Sequence, residues 1–545
     1  MVKKHQILLL LVISFFAFFT HNEVQPSDIM EARNLTTARE VVTSDNWLLP
    51  TMNGKLRLEK PPLPTWISAV TMKISMYNYN VLRFPAAIIS TLLVLFMFFL
   101  VREMSADKWL PFLAAATVAT SFYVFYMGRT QTWDIYCNSF MLGTVWLLFR
   151  SWKKEKSTWI ETILAGILMG LSFLSKGPVA FYAVLLPFLI AFITSYGIQP
   201  VRTKWKEVLI ALFICLAISS WWYLFIYFSH PELASFVAKK ESGAWIGHNV
   251  KPWYHYWNFP VQSGIWTIAI VAALIFPYAS SKIKTVANYK FIALWVWSSV
   301  ILLSLMPEKK ERYLLPVLLP AGLLAAAYFR YLIQAFSEKK ATSGDKIFLN
   351  INAIVLGGIA TLIPVGLYIL SKKGIDIPVW QIGLYGIIFL TVGILFFSSL
   401  RKKNVFAVWG LMVGFMVLFN LFLLPMTKDI VISNRDYKSI AQMREDLRLK
   451  ELPFYYNGDT VRMEIVWEAG RVIRENNFKK NLQPLKQLPI VMVSSKKVEE
   501  FLPDTTLSRL DCEIVGQYDN NLGKKKKDDC FLNYITIIKA KREHP

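Results

Sequence analysis

Residues 28–66 read DIMEARNLTTAREVVTSDNWLLPTMNGKLRLEKPPLPTW, and the chain is organised around this stretch. It is the longest polar interruption before the C-terminal region. It follows one apolar segment and precedes about a dozen more. It collects acids (Asp28, Glu31, Glu40, Asp45, Glu59), bases (Arg33, Arg39, Lys55, Arg57, Lys60) and the aromatics Trp47 and Trp66. A plain connector between two spans would be shorter and blander. Long, chemically dense loops on a rigid scaffold are where function concentrates.

Outward from that loop, the 545 residues are 54% hydrophobic and 15% aromatic, with a mean hydropathy of +0.39. These values exceed those of soluble globular chains and indicate many membrane spans. The net charge of +23 suits lipid phosphates and topology signals. Nucleic-acid binding is disfavoured, because the bases are scattered through short connections. Four cysteines exclude a disulfide-rich scaffold. Cys137 and Cys215 lie in apolar segments, whereas Cys512 and Cys530 lie in the polar C-terminal region, where an oxidising compartment would allow them to pair.

Residues 6–20, after Lys3 and Lys4, read as a retained first helix, because no small-x-small cleavage site follows. Twelve further apolar segments fall near 81–101, 109–127, 134–150, 158–175, 178–196, 207–229, 262–281, 288–306, 313–335, 347–370, 378–399 and 404–424. Lys176-Gly177-Pro178 separates two of them, since Gly and Pro both interrupt helices. Thirteen spans with a cytoplasmic N-terminus make every even-numbered connection basic, RSWKKEK (150–156), SEKKATSGDK (337–346) and RKK (401–403) among them. The same count puts 21–80, GRTQTWD (128–134), SKGP (175–178), 230–261 and PEKKERY (307–313) together on the outer face.

The expected architecture is an all-α polytopic membrane domain over 1–424, with 21–80 as its large first outer loop. A small α/β domain follows over 425–545, where short apolar runs alternate with charged helical stretches. GKKKKDDC reads as a solvated turn. No internal repeat is visible, which weakens a secondary-transporter reading.

Several residues are candidates for chemistry. Asp28 and Glu31, with Arg33 beside them, stand where a carboxylate could take a proton from an attacking hydroxyl; the bland alternative is a solvated amphipathic helix over 28–42. Lys60, in Glu59-Lys60-Pro61-Pro62, projects from a proline-stiffened extended segment and suits a phosphate. Arg129 and Asp134 flank an outer loop, either as an ion pair capping a helix or as site groups, and Asp134 falls in the first turn of a span, where the helix dipole favours it. Lys176 is either a snorkelling lysine or a site cation. His248, in GAWIGHNVKPWYHYW, could meet a metal or a phosphate. Arg312 and Tyr313 suit a phosphate or sugar, or serve as interfacial anchors. Asn34-Leu35-Thr36 matches a glycosylation sequon inside the helical stretch and is read as chance.

EARNLTTARE, NWLLPTMNGKLRLEKPPLPTW, RTQTWD, FLSKGP and ERYLLP, in that order, resemble the GT-C membrane glycosyltransferases. The branch is that of protein O-mannosyltransferases and 4-amino-4-deoxy-L-arabinose lipid A transferases. The resemblance implies inverting transfer of a sugar from a polyprenyl (undecaprenyl) phosphate donor to an envelope acceptor: lipid A, a protein or a glycan. It implies a bacterial inner membrane, with the active site and C-terminal domain facing the periplasm. By the same resemblance Glu31 falls in the acidic pair near the start of the loop. Family members often have Asp-Glu there and this chain has Met30-Glu31, so Glu31, Asp28 and Asp134 all stand as candidates for the base. Lys60 matches the lysine of the family's Glu-Lys-Pro motif, a donor-phosphate ligand. Tyr313 resembles a second phosphate contact. Glu59 resembles a residue near a bound divalent metal in some relatives. Leu56-Arg57-Leu58 stands where the aminoarabinose branch tends to carry aromatics, so the match is better to the broad family. The alternative is a carrier of lipid-linked sugars, which would place charges at mid-membrane depth in broken helices; here they gather at one outer face.

Overall fold

The computed structural model describes residues 2–154, 159–237, 239, 249–373, 375, 377–523 and 528–541. Two compact units are present. The first comprises Met1–Asn22, Leu58–Pro64 and Arg83–Pro425, and the second comprises Glu23–Arg57, Thr65–Leu82 and Met426–Pro545.

The first unit is helical, and each of the thirteen apolar segments forms helix. Among the described residues, eight helices are long and apolar enough to cross a membrane by length and composition, and four shorter apolar helices begin at Lys4, Leu110, Phe181 and Tyr289. The chain is thus a multi-pass membrane protein. Trp133–Lys153 adds a helix that is less apolar and almost wholly buried. Local chemistry fixes where helices begin. Asp107 Oδ1 accepts from the Trp109 and Leu110 amides, both at 2.9 Å, and its carboxylate also takes a 2.8 Å bond from Arg330. Asn404 Oδ1 caps the Val405–Leu418 helix through the Ala407 amide at 3.0 Å. The Trp159–Lys176 helix ends as the sequence indicated. Gly177 takes φ +72, a conformation that costs glycine little, and a π-helical turn over Phe181–Leu185 leads into Leu186–Tyr196. Segment 262–281 departs from a continuous span. A 3₁₀ stretch over Trp253–Trp266, bent at Gly264, gives way to short helices Thr267–Leu274 and Phe276–Ile283, because Pro260 and Pro277 each deny an amide to a longer ladder.

The second unit contains a five-stranded mixed sheet in the order β4-β3-β5-β7-β6. Its strands are β3 (Phe454–Asn457), β4 (Ile473–Asn476), β5 (Ile490–Ser494), β6 (Leu510–Asp519) and β7 (Leu532–Ala540). β3 runs parallel to both β4 and β5, whereas β7 is antiparallel to β5 and β6. The small sheet domain read from the sequence is therefore present, but it is not built from C-terminal residues alone. The Ile29–Ser44 helix presents Ala32, Leu35, Ala38 and Val41, spaced by three, to one core with Val466, Trp467, Ile473 and Val493. A cut at 424/425 leaves the loop with the membrane helices; the compact units group 23–57 and 65–82 with 426–545 because that apolar stripe is buried there. Cys512 and Cys530 are free thiols, and burial raises both above the usual thiol range. Cys512 pairs in register with Ile538 on β7, while Cys530 sits in the turn before that strand. The lysines of GKKKKDDC, 524–527, lie outside the described residues.

Candidate active site

The helices of the first unit bring three loops of the outer set together. Asp134 is in the first turn of Trp133–Lys153, and Lys176 is the last residue of Trp159–Lys176. Their side chains, 3% and 5% exposed, form a direct hydrogen-bonded ion pair. Arg312 Nε lies 3.8 Å from Asp134 Oδ2. Lys176 Nζ stands 5.0 Å from the centre of the Tyr313 ring, with the Arg312 guanidinium at 5.6 Å and Lys310 at 5.9 Å. The Tyr313 hydroxyl donates to Glu308 at 3.2 Å, and Glu308 also pairs with Lys310. Among the described residues, Lys176, Lys310 and Arg312 thus gather with the carboxylates Asp134 and Glu308 around one phenol.

Backbone bonds hold this loop in place. Lys309 N donates to Asn249 O at 3.2 Å, and Asn249 Nδ2 returns to Lys309 O at 2.6 Å. The Tyr256 hydroxyl accepts from the Lys310 amide at 2.8 Å and donates to the Lys310 carbonyl at 3.1 Å. The 249–256 and 307–313 segments are therefore tied to each other.

A cavity of about 480 Å³ opens beside the cluster. Asp134, Asn138, Glu308 and Tyr313 supply its polar rim, and Phe181, Leu186, Leu303 and Met306 its apolar wall. Tyr182, on the π-helical turn, is fixed by a 2.6 Å bond to the Leu302 carbonyl. The charged residues that line it are Asp134 and Glu308, with Lys176 and Lys310 paired to them from behind; an apolar chamber beside such a cluster suits an amphiphile with a polar, ionised head.

The other sequence candidates fall as follows. Arg129 donates to the Ala17 carbonyl at 2.9 Å and to Thr20, and its guanidinium lies over Phe125 at 5.2 Å; it ties the first helix down. Lys176 does not snorkel, because it is buried against Asp134. Glu59 and Lys60 are half-buried in the Leu58–Pro64 segment of the first unit, in a bend rather than the extended segment expected. His248 lies outside the described residues. Among those described, no group of three or more His, Cys, Asp or Glu side chains is placed to hold a metal, so no step is derived through one. Glu308 and Lys310 join the site beyond the residues the sequence points to; their signal is the PEKKERY run itself, where Arg312 and Tyr313 stand out.

In the second unit, Asp28 is the N-cap of the Ile29–Ser44 helix, accepting from the Met30 and Glu31 amides at 2.9 and 2.8 Å. Arg33 lies half-buried, 3.9 Å from Met30 Sδ. The solvated-helix expectation fails. Glu31 and Asn34 are 0% exposed, and Arg39 and Glu40 are 3% and 4% exposed. Asn34 bonds Ser68 and Thr65, at 3.0 and 2.8 Å, which leaves its amide inside the protein and fits the reading of the sequon as chance. Arg39 donates to the Val466 and Arg471 carbonyls, both at 3.0 Å. Burial pushes its guanidinium below the usual value, with Tyr77 and Glu40 pulling the other way. Glu40 accepts from Thr51, Asn53 N and Gly54 N at 2.6, 2.7 and 3.0 Å, which closes the β1 (Thr51–Met52) and β2 (Lys55–Leu56) hairpin.

A helical membrane unit, and a second unit with a small mixed sheet, match the ArnT-like GT-C fold. The structure of ArnT from Cupriavidus metallidurans bound to undecaprenyl phosphate superposes with a TM-score of 0.66 at 14% identity, covering 98% of this chain and 97% of that one. The resemblance drawn from the motifs is borne out. Residues 59–223 match the family described as dolichyl-phosphate-mannose-protein mannosyltransferase. The chain is 25% identical over 366 residues to an undecaprenyl phosphate-alpha-4-amino-4-deoxy-L-arabinose arabinosyl transferase 2 of Proteus mirabilis, covering 64% of this chain and 62% of that protein. It is also 25% identical over 345 residues to the protein of that description from Pseudomonas fluorescens, covering 61% and 56%. The aligned region spans about three-fifths of the length of these relatives.

Proposed function

We propose that the chain is a glycosyltransferase that moves a sugar from a polyprenyl phosphate, of the undecaprenyl class, to an acceptor at a bacterial inner membrane. The observation that carries this reading is the 480 Å³ apolar cavity rimmed by Asp134 and Tyr313, with Lys176 and Arg312 held on Asp134. The cavity suits the isoprenoid chain and the cations suit its phosphate. During transfer the bond between the anomeric carbon and the phosphate oxygen breaks, and the acceptor oxygen bonds to that carbon from the opposite side, with inversion. The phosphate leaves as an anion. Lys176 and Arg312, in a partly dry site, would stabilise the charge as it develops. Asp134 would then act as the counter-ion that keeps both cations in place while the site is empty, rather than as the base.

Glu31 is proposed as the carboxylate that orients the acceptor and takes its proton when the acceptor is a hydroxyl. A lipid A phosphate is already ionised and would need positioning only. Lys60 is proposed as a further phosphate ligand on the strength of its motif, with Glu59 beside it. Thirteen spans, with the cluster and the C-terminal residues on the periplasmic side, complete the reading. The names of the relatives give an undecaprenyl phosphate-linked aminoarabinose donor, and lipid A is proposed as the acceptor on the motif resemblance.

The test is transfer in proteoliposomes from a labelled undecaprenyl-phosphate sugar to lipid A, scored by free undecaprenyl phosphate and by the mass gained on lipid A. Wild-type protein should release carrier and add one sugar mass, and Glu31→Gln should do neither while still inserting. Movement of intact donor between leaflets without cleavage would overturn the assignment.

A further inference from the structure

A second polar cavity lies at the other end of the helices that begin at the active-site cluster. The helix Leu315–Ser337 starts just after Arg312 and Tyr313, and its 23 residues carry it about 35 Å at the usual rise per residue. Where it ends, a cavity of about 670 Å³ is lined by Lys339, Lys346, Lys402 and Lys403, with Phe336 and Phe406 among its apolar walls. Lys339 and Lys403 both adopt left-handed backbone, φ 58 and 54. Each follows the last residues of a long helix, Ser337 and Arg401. In this way the connection after Ser337, the connection after Arg401 and the first turn of the Ser343–Lys372 helix contribute the four lysines to one lining.

Charge balance separates this cavity from the active-site cluster. Around Asp134 each cation has a carboxylate near it. Around the second cavity, among the described residues, none of the four lysines has a salt bridge. The acids nearest in sequence are engaged elsewhere: Glu338 pairs with Lys340, and Asp345 pairs with Lys282 and caps its own helix. General topology signals require only that basic residues lie in the connection; they do not require that four converge on one cavity with aromatic walls. Four uncompensated ammonium groups above an apolar wall recognise a phosphate group carried on an apolar body.

We propose that this cavity binds the phosphate headgroup of an acidic membrane phospholipid, at the membrane face opposite the Asp134 cluster. The lysines would neutralise the phosphate, and Phe336 and Phe406 would contact the first methylenes of the acyl chains. The proposal stands independently of the transfer reaction, since it uses none of the residues placed there.

The test uses the full-length protein in a neutral detergent. Binding of dioleoyl phosphatidylglycerol and of dioleoyl phosphatidylcholine is followed by native mass spectrometry, with inorganic phosphate as competitor. Wild-type protein should retain phosphatidylglycerol in preference to phosphatidylcholine. Lys339→Gln/Lys402→Gln/Lys403→Gln should weaken phosphatidylglycerol retention about tenfold or more, at the strength expected per lysine near an anionic surface. The charge-matched control Lys372→Gln/Lys373→Gln/Lys428→Gln should leave retention unchanged, and tryptophan-fluorescence melting should show both triple variants folded. Equal loss in the two triple variants, or no loss in either, would overturn the proposal. Displacement of the lipid by millimolar inorganic phosphate would assign the cavity to a soluble phosphate compound and overturn the lipid source.

Discussion

Asp134 and Glu40 are both buried carboxylates, with side chains 3% and 6% exposed. Their partners differ in kind. Asp134, in the membrane helices, is met by the side-chain cations of Lys176 and Arg312. Glu40, in the second unit, is met by two backbone amides and a hydroxyl of one hairpin, with Arg39 at 3.7 Å. A carboxylate satisfied by backbone amides has no free partner to exchange; it fixes a turn. A carboxylate satisfied by long side chains holds two cations that can be shared with an arriving phosphate. Burial alone therefore does not mark a functional charge, and the identity of the partner does.

The comparison breaks first at Asp134. Asp134→Ala should leave Lys176 and Arg312 buried without their counter-ion. It should destabilise the detergent-solubilised protein by about 3–5 kcal/mol, read as a fall in Tm. An unchanged Tm would mean that the pair is not closed in the folded protein. Lys176→Met keeps the volume and removes the charge. It should lower kcat/KM for transfer about 10²–10³-fold with the fold intact, and a loss under threefold would place the phosphate elsewhere. Glu40→Ala should cost the second unit about 2–3 kcal/mol, through buried amides left without an acceptor. It should show as faster proteolysis near Asn53-Gly54, with normal turnover in whatever fraction remains folded. The smallest effect is expected at Asp28. Removing an N-cap costs about 1 kcal/mol, so Asp28→Ala should shift Tm slightly and Asp28→Ser hardly at all, with transfer retained in both. Abolished transfer in folded Asp28→Ser would make Asp28 catalytic.

Much of this arrangement was legible in the sequence. All thirteen apolar segments are helical, because length and hydropathy decide helix where no water can satisfy a backbone. The break at Gly177 was legible because Gly and Pro punctuate locally. The RTQTWD, SKGP and PEKKERY loops, which a thirteen-span count groups on one face, do meet at Asp134, Lys176 and Arg312. What failed was anything set by distant partners. The stripe Ala32, Leu35, Ala38 and Val41 announces a buried face, but nothing local says that Val466 and Trp467 cover it. Arg39 finds its acceptors more than 420 residues away, so its helix read as solvated. Asp134 finds its lysine, Lys176, 42 residues away.

The central claim is that the cations on Asp134 receive the carrier's phosphate. The most direct measurement is the affinity of purified protein for undecaprenyl phosphate, by native mass spectrometry, in wild type, Lys176→Met and Arg312→Met, with neutral undecaprenol as the uncharged comparison. The account predicts that each substitution weakens undecaprenyl phosphate about tenfold or more, as expected for the loss of a charge-assisted contact, and leaves undecaprenol unaffected. Equal affinity of all three proteins for undecaprenyl phosphate would contradict it.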